Sequence, residues 1–208
     1  WVQARGATWS IDWWVGAEDR WHLPAGEAAV RQTVIGDAPI VQTAMRVPGG
    51  DVVNRAYAVR GSSPVDDGAV WEDSATVLEI SNESSVPVAL AIVLRPCTLA
   101  GSGRIRSVEV DGSVVSVDGR VAMVLSRAVA RVSHGAAGEV AGRLAAGEDA
   151  EPQVSLQEGE GGLEVALIVP LPHTATVRVL VPRVVRAARR RRFGGAAAVS
   201  SPGPTFQA

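Results

Sequence analysis

The chain has 208 residues, a net charge of −2 at pH 7 and 20 basic residues, all of them arginine. This near-neutral balance gives no electrostatic reason to expect nucleic acid or a membrane surface as a partner. Cys97 is the only cysteine, which excludes an internal disulfide and a cysteine metal cluster and favours a reducing cytoplasm. No stretch is long and apolar enough to predict a transmembrane helix. We expect neither a metal nor a cofactor.

The N-terminal segment, Trp1 to Pro24, contains five of the six tryptophans. Within it, Ala7–Val15 is predicted to be a strand, with Trp9, Ile11 and Trp13 on one face because side chains alternate along a strand. The polar residues Gly16 to Pro24 follow. Alternating apolar residues then predict three further strands, around 30–34, 38–47 and 52–59, with a turn at Pro48–Asp51.

The stretch Thr76–Pro96 is interpreted as a hairpin around which the rest of the chain is organised. Its first arm is Val77–Ile80, and Ser81–Ser85 supplies the polar residues of a tight turn. The second arm, Val86–Leu94, is apolar throughout, which is typical of a strand covered on both faces. It is too short to span a bilayer, and Pro87 argues against a helix.

The C-terminal half is predicted to be a series of short strands with frequent turns. Asp111-Gly112 and Asp118-Gly119 are typical of tight hairpins. The predicted strands are 105–110, 114–117, 121–125, 128–132, 163–169 and 174–181, and Ala136–Glu151 is either a loop or a short helix. This pattern favours an all-β fold, a large antiparallel two-sheet β-sandwich of the supersandwich kind, over a parallel α/β fold.

We expect one sandwich domain over 1–182, followed by an arginine-rich linker and a disordered tail over 183–208. The run Arg189–Arg192 is better explained as a linker or an interdomain contact than as a nucleic-acid or lipid site. The first residue is Trp1, and Ser200–Ala208 contains two prolines. Both ends are therefore expected to be cuts in a longer polypeptide.

The strongest chemical candidate is the run Glu18, Asp19, Arg20, Trp21 and His22. Carboxylates and a guanidinium beside an indole are the groups that bind sugars. The alternative is that the indoles pack in the core while the charged groups pair within a turn. Adjacent acids do not by themselves make a glycosidase pair, because the two carboxyl groups must lie about 5–10 Å apart across the scissile bond.

Other candidates are weaker. The acidic loop of Asp66, Asp67, Glu72 and Asp73 around Trp71 has enough oxygen ligands for Ca²⁺ but matches no EF-hand spacing, so a solvated loop is favoured. His134 and His173 stand alone, without metal-ligand spacing. No serine occurs in a G-x-S-x-G elbow. Cys97, with no visible base, is expected to be a buried, inert small side chain.

Three stretches, Gly16–Pro24, Arg46–Tyr57 and Val77–Pro96, resemble the N-terminal β-sandwich of actinobacterial glucoamylase-like and glycogen-debranching-like glycosidases, and Pro170–Thr176 agrees with them. The resemblance covers most of 10–182 and rests on turns and strands. It implies a sandwich that packs on a helical (α/α)6 catalytic domain of the same polypeptide, where the acid and base reside. No run of amphipathic helices follows Arg192, so no catalytic residue is carried over.

The leading hypothesis is a non-catalytic accessory domain of a carbohydrate-active protein, with the Trp-rich and Arg-rich segments as interdomain surfaces and an α-glucan or oligosaccharide as a further partner. One alternative is an autonomous carbohydrate-binding module that stacks sugars on Trp13, Trp14 or Trp21. The other is a self-contained glycosidase that uses Glu18, Asp19 and His22. A site is expected near Trp21 and Trp71.

Overall fold

A computed structural model describes residues 1–4, 6–60, 63–64, 70–71, 74–152 and 155–182. In chain order the strands are β1 (Ser10–Gly16), β2 (Trp21–His22), β3 (Val30–Val34), β4 (Val41–Val47), β5 (Gly50–Arg60), β6 (Ser63–Pro64), β7 (Val70–Trp71), β8 (Ser74–Asn82), β9 (Val88–Arg95), β10 (Cys97–Thr98), β11 (Gly101–Ser102), β12 (Ser107–Asp111), β13 (Val114–Val117), β14 (Arg120–Leu125), β15 (Arg131–Gly135), β16 (Ser155–Gln157), β17 (Glu164–Leu171) and β18 (Thr176–Pro182). A 3-10 turn, Pro24–Gly26, and one helix, α1 (Val140–Ala145), complete the described elements.

Two antiparallel sheets pack face to face, which confirms the predicted all-β sandwich. The smaller sheet has five strands in the order β15-β17-β9-β1-β2. The larger has nine strands in the order β16-β12-β13-β14-β18-β8-β5-β4-β3. One core fills the space between them, with Ile11, Ile92 and Leu167 from the small sheet and Met45 and Ile80 from the large one.

Strand β1 has the predicted alternation. Trp9, Ile11 and Trp13 face the core between the sheets, and Trp14 faces the outer side of the five-stranded sheet. On that outer side Trp14 packs with Val140 and Leu144 of α1. The interval between Ala136 and Glu151 therefore contains a short helix, whose apolar side covers the small sheet.

The prediction that Thr76–Pro96 is a hairpin is wrong. Strand β8 pairs with β5 and β18 in the nine-stranded sheet, whereas β9 pairs with β1 and β17 in the five-stranded sheet. The two arms do not pair with each other. The polar turn is thus an arch that carries the chain from one sheet to the other, because its strands take their hydrogen-bond partners from different sheets.

The arch is held by side chains that replace the missing strand pairing. The buried Asn82 donates from Nδ2 to the carbonyls of Val86, at 2.8 Å, and Leu171, at 3.0 Å. Its Oδ1 accepts the Ser84 backbone N–H at 3.0 Å and the Ser84 hydroxyl at 2.6 Å. His173 Nδ1 donates to the Ser84 carbonyl. The NH₂ group and the carbonyl oxygen of the Asn82 amide therefore each make two hydrogen bonds.

Strand β9 is buried on both faces, as its apolar sequence predicts. Leu90, Ile92 and Leu94 belong to the core between the sheets, while Ala91 and Val93 face Trp14 and α1. The second face is covered by a helix and an indole and not by a second sheet. The strand lies at the centre of the five-stranded sheet.

Both Asp-Gly pairs lie at hairpin turns, as predicted, although Asp111 is the last residue of β12 and pairs with Val114. Strands β13 and β14 are joined by Asp118-Gly119, since Val117 pairs with Arg120. The backbone φ angles are 51° at Asp118 and 73° at Gly119. Positive φ at both central positions is the mark of the type I′ turn that suits twisted antiparallel strands. The strand predicted at 128–132 begins three residues later, at Arg131.

Candidate functional site

The turn between β1 and β2 gathers the charged residues of the strongest sequence candidate. Val15 pairs with His22, and Gly16 pairs with Trp21. The turn is closed by the Ala17 N–H, which donates to the Arg20 carbonyl at 3.0 Å. This short reversal brings Asp19 beside His22, three residues further along the chain.

His22 is the centre of this cluster and is only 3% exposed. Its Nε2 lies 2.9 Å from Asp19 Oδ1, and its Nδ1 lies 3.1 Å from Glu27 Oε1. Each ring nitrogen of His22 therefore lies within hydrogen-bond distance of a carboxylate oxygen. Arg20 then pairs with both oxygens of Glu27, with Nη2 3.1 Å from Oε2. We call Asp19, Arg20, His22 and Glu27 the ionic clasp.

The two carboxylates of the ionic clasp are held in their charged form. The hydrogen bond from His22 lowers the pKa of Asp19 below its usual value of 3.8. The hydrogen bonds from Arg20, aided by the charges of Arg20 and His22, lower the pKa of Glu27. A general acid for glycoside cleavage needs a raised pKa, so neither carboxyl group suits that role. Glu18 is exposed and does not belong to the clasp.

One part of the Trp21 indole is occupied by contacts within the chain. Its Nε1 donates to the Leu144 carbonyl at 3.1 Å, at the end of α1. Its ring packs on Gly16, where a Cβ would lie 3.0 Å from Cζ2. Trp21 is half-buried and joins the β1–β2 turn to the helix.

The hypothesis that Trp13 and Trp14 are sugar-stacking platforms is wrong. Each is 3% exposed, because Trp13 lies in the core between the sheets and Trp14 lies under α1. Stacking requires an accessible ring face. The same burial shows that the N-terminal tryptophans are mainly core residues, although Trp1 is 54% exposed.

A second charged group lies on the outer face of the five-stranded sheet, and sequence reasoning missed it. Arg95 joins two buried carboxylates: its Nε is 3.1 Å from Glu164 Oε1, and its Nη1 is 3.4 Å from Asp12 Oδ2. Trp14 Nε1 donates to Asp12 Oδ2 at 3.2 Å, and the Gly138 N–H donates to Glu164 Oε2 at 2.9 Å. Although burial opposes the charged guanidinium, the two carboxylates raise the pKa of Arg95.

The remaining candidate residues do not form a cluster of charged side chains like the ionic clasp. Cys97 was expected to be buried but is only half-buried, with Sγ 3.1 Å from the Ser10 hydroxyl. His134 is exposed, and His173 serves the arch. Asp66, Asp67, Glu72, Asp73, the side chain of Trp71 and the run Arg189–Arg192 lie outside the described residues.

The described residues contain neither a metal-binding cluster nor a helix that could span a membrane. No group of three or more His, Cys, Asp or Glu side chains there is arranged to hold a metal ion. Within the same residues, no helix has the length and apolar character needed to cross a membrane.

No protein-family model matches the sequence, and no curated protein is significantly similar to it.

Replacing Asp19 by asparagine is expected to weaken the pH dependence of stability below neutral pH. A carboxyl pKa that is lower in the folded state contributes stability above its unfolded value, near 3.8, and that stability is lost as pH falls through the folded pKa. The urea midpoints of the natural chain and of Asp19→Asn should thus differ at pH 7 and converge towards pH 3. A difference that grows on acidification would contradict the clasp.

Proposed function

We propose that this chain is a non-catalytic β-sandwich domain of a carbohydrate-active protein, and that it packs on a helical catalytic domain through the surface around the β1–β2 turn. The observation that carries the proposal is the ionic clasp. It fixes charged residues in place but leaves both paired carboxyl groups ionised, so it lacks the proton donor that glycoside cleavage needs. Side chains fixed in one geometry by ion pairs suit a surface that contacts another domain better than a catalytic site.

The exposed part of this surface has the composition of a contact patch. The side chains of Arg20 and Asp19 are 55% and 47% exposed, and Trp21 beside them is half-buried. Protein interfaces are enriched in arginine and tryptophan at their centres and are polar at the rim. Because the clasp already holds Arg20 in one geometry, a partner that binds it loses less side-chain entropy.

The resemblance of Gly16–Pro24, Arg46–Tyr57 and Val77–Pro96 to the sandwich of glucoamylase-like glycosidases supports the same proposal. It supplies the class of partner, a barrel of helical hairpins with paired acids. An α-glucan bound at the edge between the two domains would meet the polar rim of the patch. The proposed compartment is the cytoplasm.

The first test is to read the coding sequence beyond Ala208. We expect helical hairpins that carry paired acids, whereas a stop codon there would overturn the proposal. The purified chain alone should hydrolyse no α-glucan. Hydrolysis that is abolished by Glu18→Gln or Asp19→Asn would instead support a self-contained glycosidase.

The second test measures binding between this chain and the separately produced helical domain by calorimetry. Glu18→Arg reverses a charge at the rim of the patch and leaves the clasp residues unchanged. It should raise the dissociation constant about tenfold. Arg120→Glu, at the exposed first residue of β14, is the matched control and should change the dissociation constant less than about twofold. Equal effects of the two variants would exclude the β1–β2 turn as the contact.

A further inference from the structure

The two large sheets have four edges between them, and three of these edges are blunted. Strand β2 has two residues and runs into the Pro24–Gly26 turn, and β16 has three residues. Strand β15 is protected by a bridge in which Val132 and Ala150 exchange two hydrogen bonds of 2.9 Å. Short strands and covered edges are the usual means by which proteins avoid pairing with other chains.

The fourth edge, β3, has none of these protections among the described residues. Its five residues pair with β4 in an unbroken register, and it contains neither proline nor glycine. Four of the five are exposed, and Val34 has a relative exposure of 63%. Its one charge, Arg31, is held by Asp51, with Nη2 2.7 Å from Oδ2.

The hydrogen bonds to β4 show which backbone groups of β3 point outward. Just before the strand, Ala29 accepts from the Arg46 N–H at 3.3 Å, and just after it, Ile35 donates to the Ile40 carbonyl at 2.9 Å. Residues that bond to one neighbour alternate along an antiparallel strand. The odd-numbered residues therefore bond to β4, and Val30, Gln32 and Val34 direct their N–H and C=O groups away from it.

This outward set is self-complementary. In an antiparallel pair of two copies centred on Gln32, each Val30 would lie opposite the partner's Val34, and Gln32 would lie opposite the partner's Gln32. These are the residues whose backbone groups point outward, so every one of them gains a hydrogen-bond partner. Arg31 would lie opposite the partner's Thr33, so no like charges face each other directly. The exposed Val34 would be covered by an apolar side chain.

From this edge and its register we infer that the chain forms a reversible two-fold dimer by pairing β3 with β3 of a second copy. The interface is isologous, since the same strand serves both subunits. It would join the two nine-stranded sheets into one continuous sheet. An interface built on five residues a side is small, so the dimer should be weak and dependent on concentration. This inference does not rest on the proposed function.

The test is sedimentation equilibrium of the purified chain from about 1 to about 500 µM. The mass of the natural chain should rise from 21.6 kDa towards twice that value. Gln32→Pro removes the N–H at the centre of the pair, which β4 does not use, and proline is tolerated on that side of an edge strand. This variant should stay monomeric, while Gln32→Ala, the matched control, should dimerise like the natural chain.

A second variant guards against misfolding of the first. Val34→Glu changes an exposed side chain and should weaken the dimer at least about tenfold, because a carboxylate would face the partner's Val30. A natural chain that is monomeric throughout, or a dimer that both variants leave intact, would overturn the inference. The inference would also be overturned if Gln32→Pro lowered the urea midpoint at about 1 µM, where both chains are monomeric. The Gln32 N–H would then be bonded within a single chain.

Discussion

Replacing Asn82 by alanine is expected to lower the free energy of unfolding by about 3 kcal/mol. Asn82 is 1% exposed and makes four side-chain hydrogen bonds in the arch between β8 and β9. Without its amide, the carbonyl of Leu171 and the N–H of Ser84 lose their partners away from bulk water. Each buried group left unpaired costs about 1–3 kcal/mol.

The chain offers a matched control, because it has one other asparagine. Asn54 is 6% exposed, and its Oδ1 is buried with no partner among the described residues. Asn54→Ala removes a similar volume but no hydrogen bond at Oδ1, so we expect a cost below about 1 kcal/mol. Urea unfolding of both variants at pH 7 measures the difference. Similar losses in the two variants would show that the arch does not depend on the Asn82 amide.

Replacing Arg95 by methionine should also cost about 3 kcal/mol, since it leaves the buried Asp12 and Glu164 without a cationic partner. Asp12 is 4% and Glu164 1% exposed, whereas the Arg95 side chain is 35% exposed. Breaking a buried pair from one side costs about 3–5 kcal/mol, and the partial exposure of Arg95 favours the lower end.

The control for Arg95 is an arginine of equal size in an exposed pair. Arg104 lies 2.8 Å from Glu158, and its side chain is 64% exposed. Arg104→Met should cost less than about 1 kcal/mol, because water and salt screen such a pair. Urea denaturation curves of the two variants, recorded at pH 7, measure both costs. Equal costs at pH 7 would contradict the buried network.

Most of the fold could be predicted from local pattern, and its pairing could not. Alternation located β1, and the Asp-Gly pairs located the hairpins, because both signals act within a few residues. The sequence of Asn82 to Ser85 predicts a hairpin, because an arch and a hairpin use the same turn residues. Only the distant partners of its two strands, β17 and β18 among them, distinguish an arch from a hairpin.

The candidate site could be predicted only where its residues are close together in the sequence. Asp19, Arg20 and His22 are close in sequence, and the turn brings them together, but Glu27 lies beyond the Pro24–Gly26 turn and was missed. Asp12 and Arg95 are 83 residues apart. The available signal was weak: a single charge within or at the end of an otherwise apolar strand. A lone buried charge needs a partner, and that requirement could have marked Asp12 as one end of a pair.

The order of the strands has a consequence for how the molecule acquires its structure. Strand β17 lies between β15 and β9, and β18 lies between β14 and β8, so the last two described strands complete both sheets from within. A ribosome must release nearly all of 1–182 before either sheet can close. Pairing over such sequence distances is slow, typically milliseconds to seconds. Until then β8, β9, β14 and β15 each keep an open edge, which exposes the unfinished chain to aggregation.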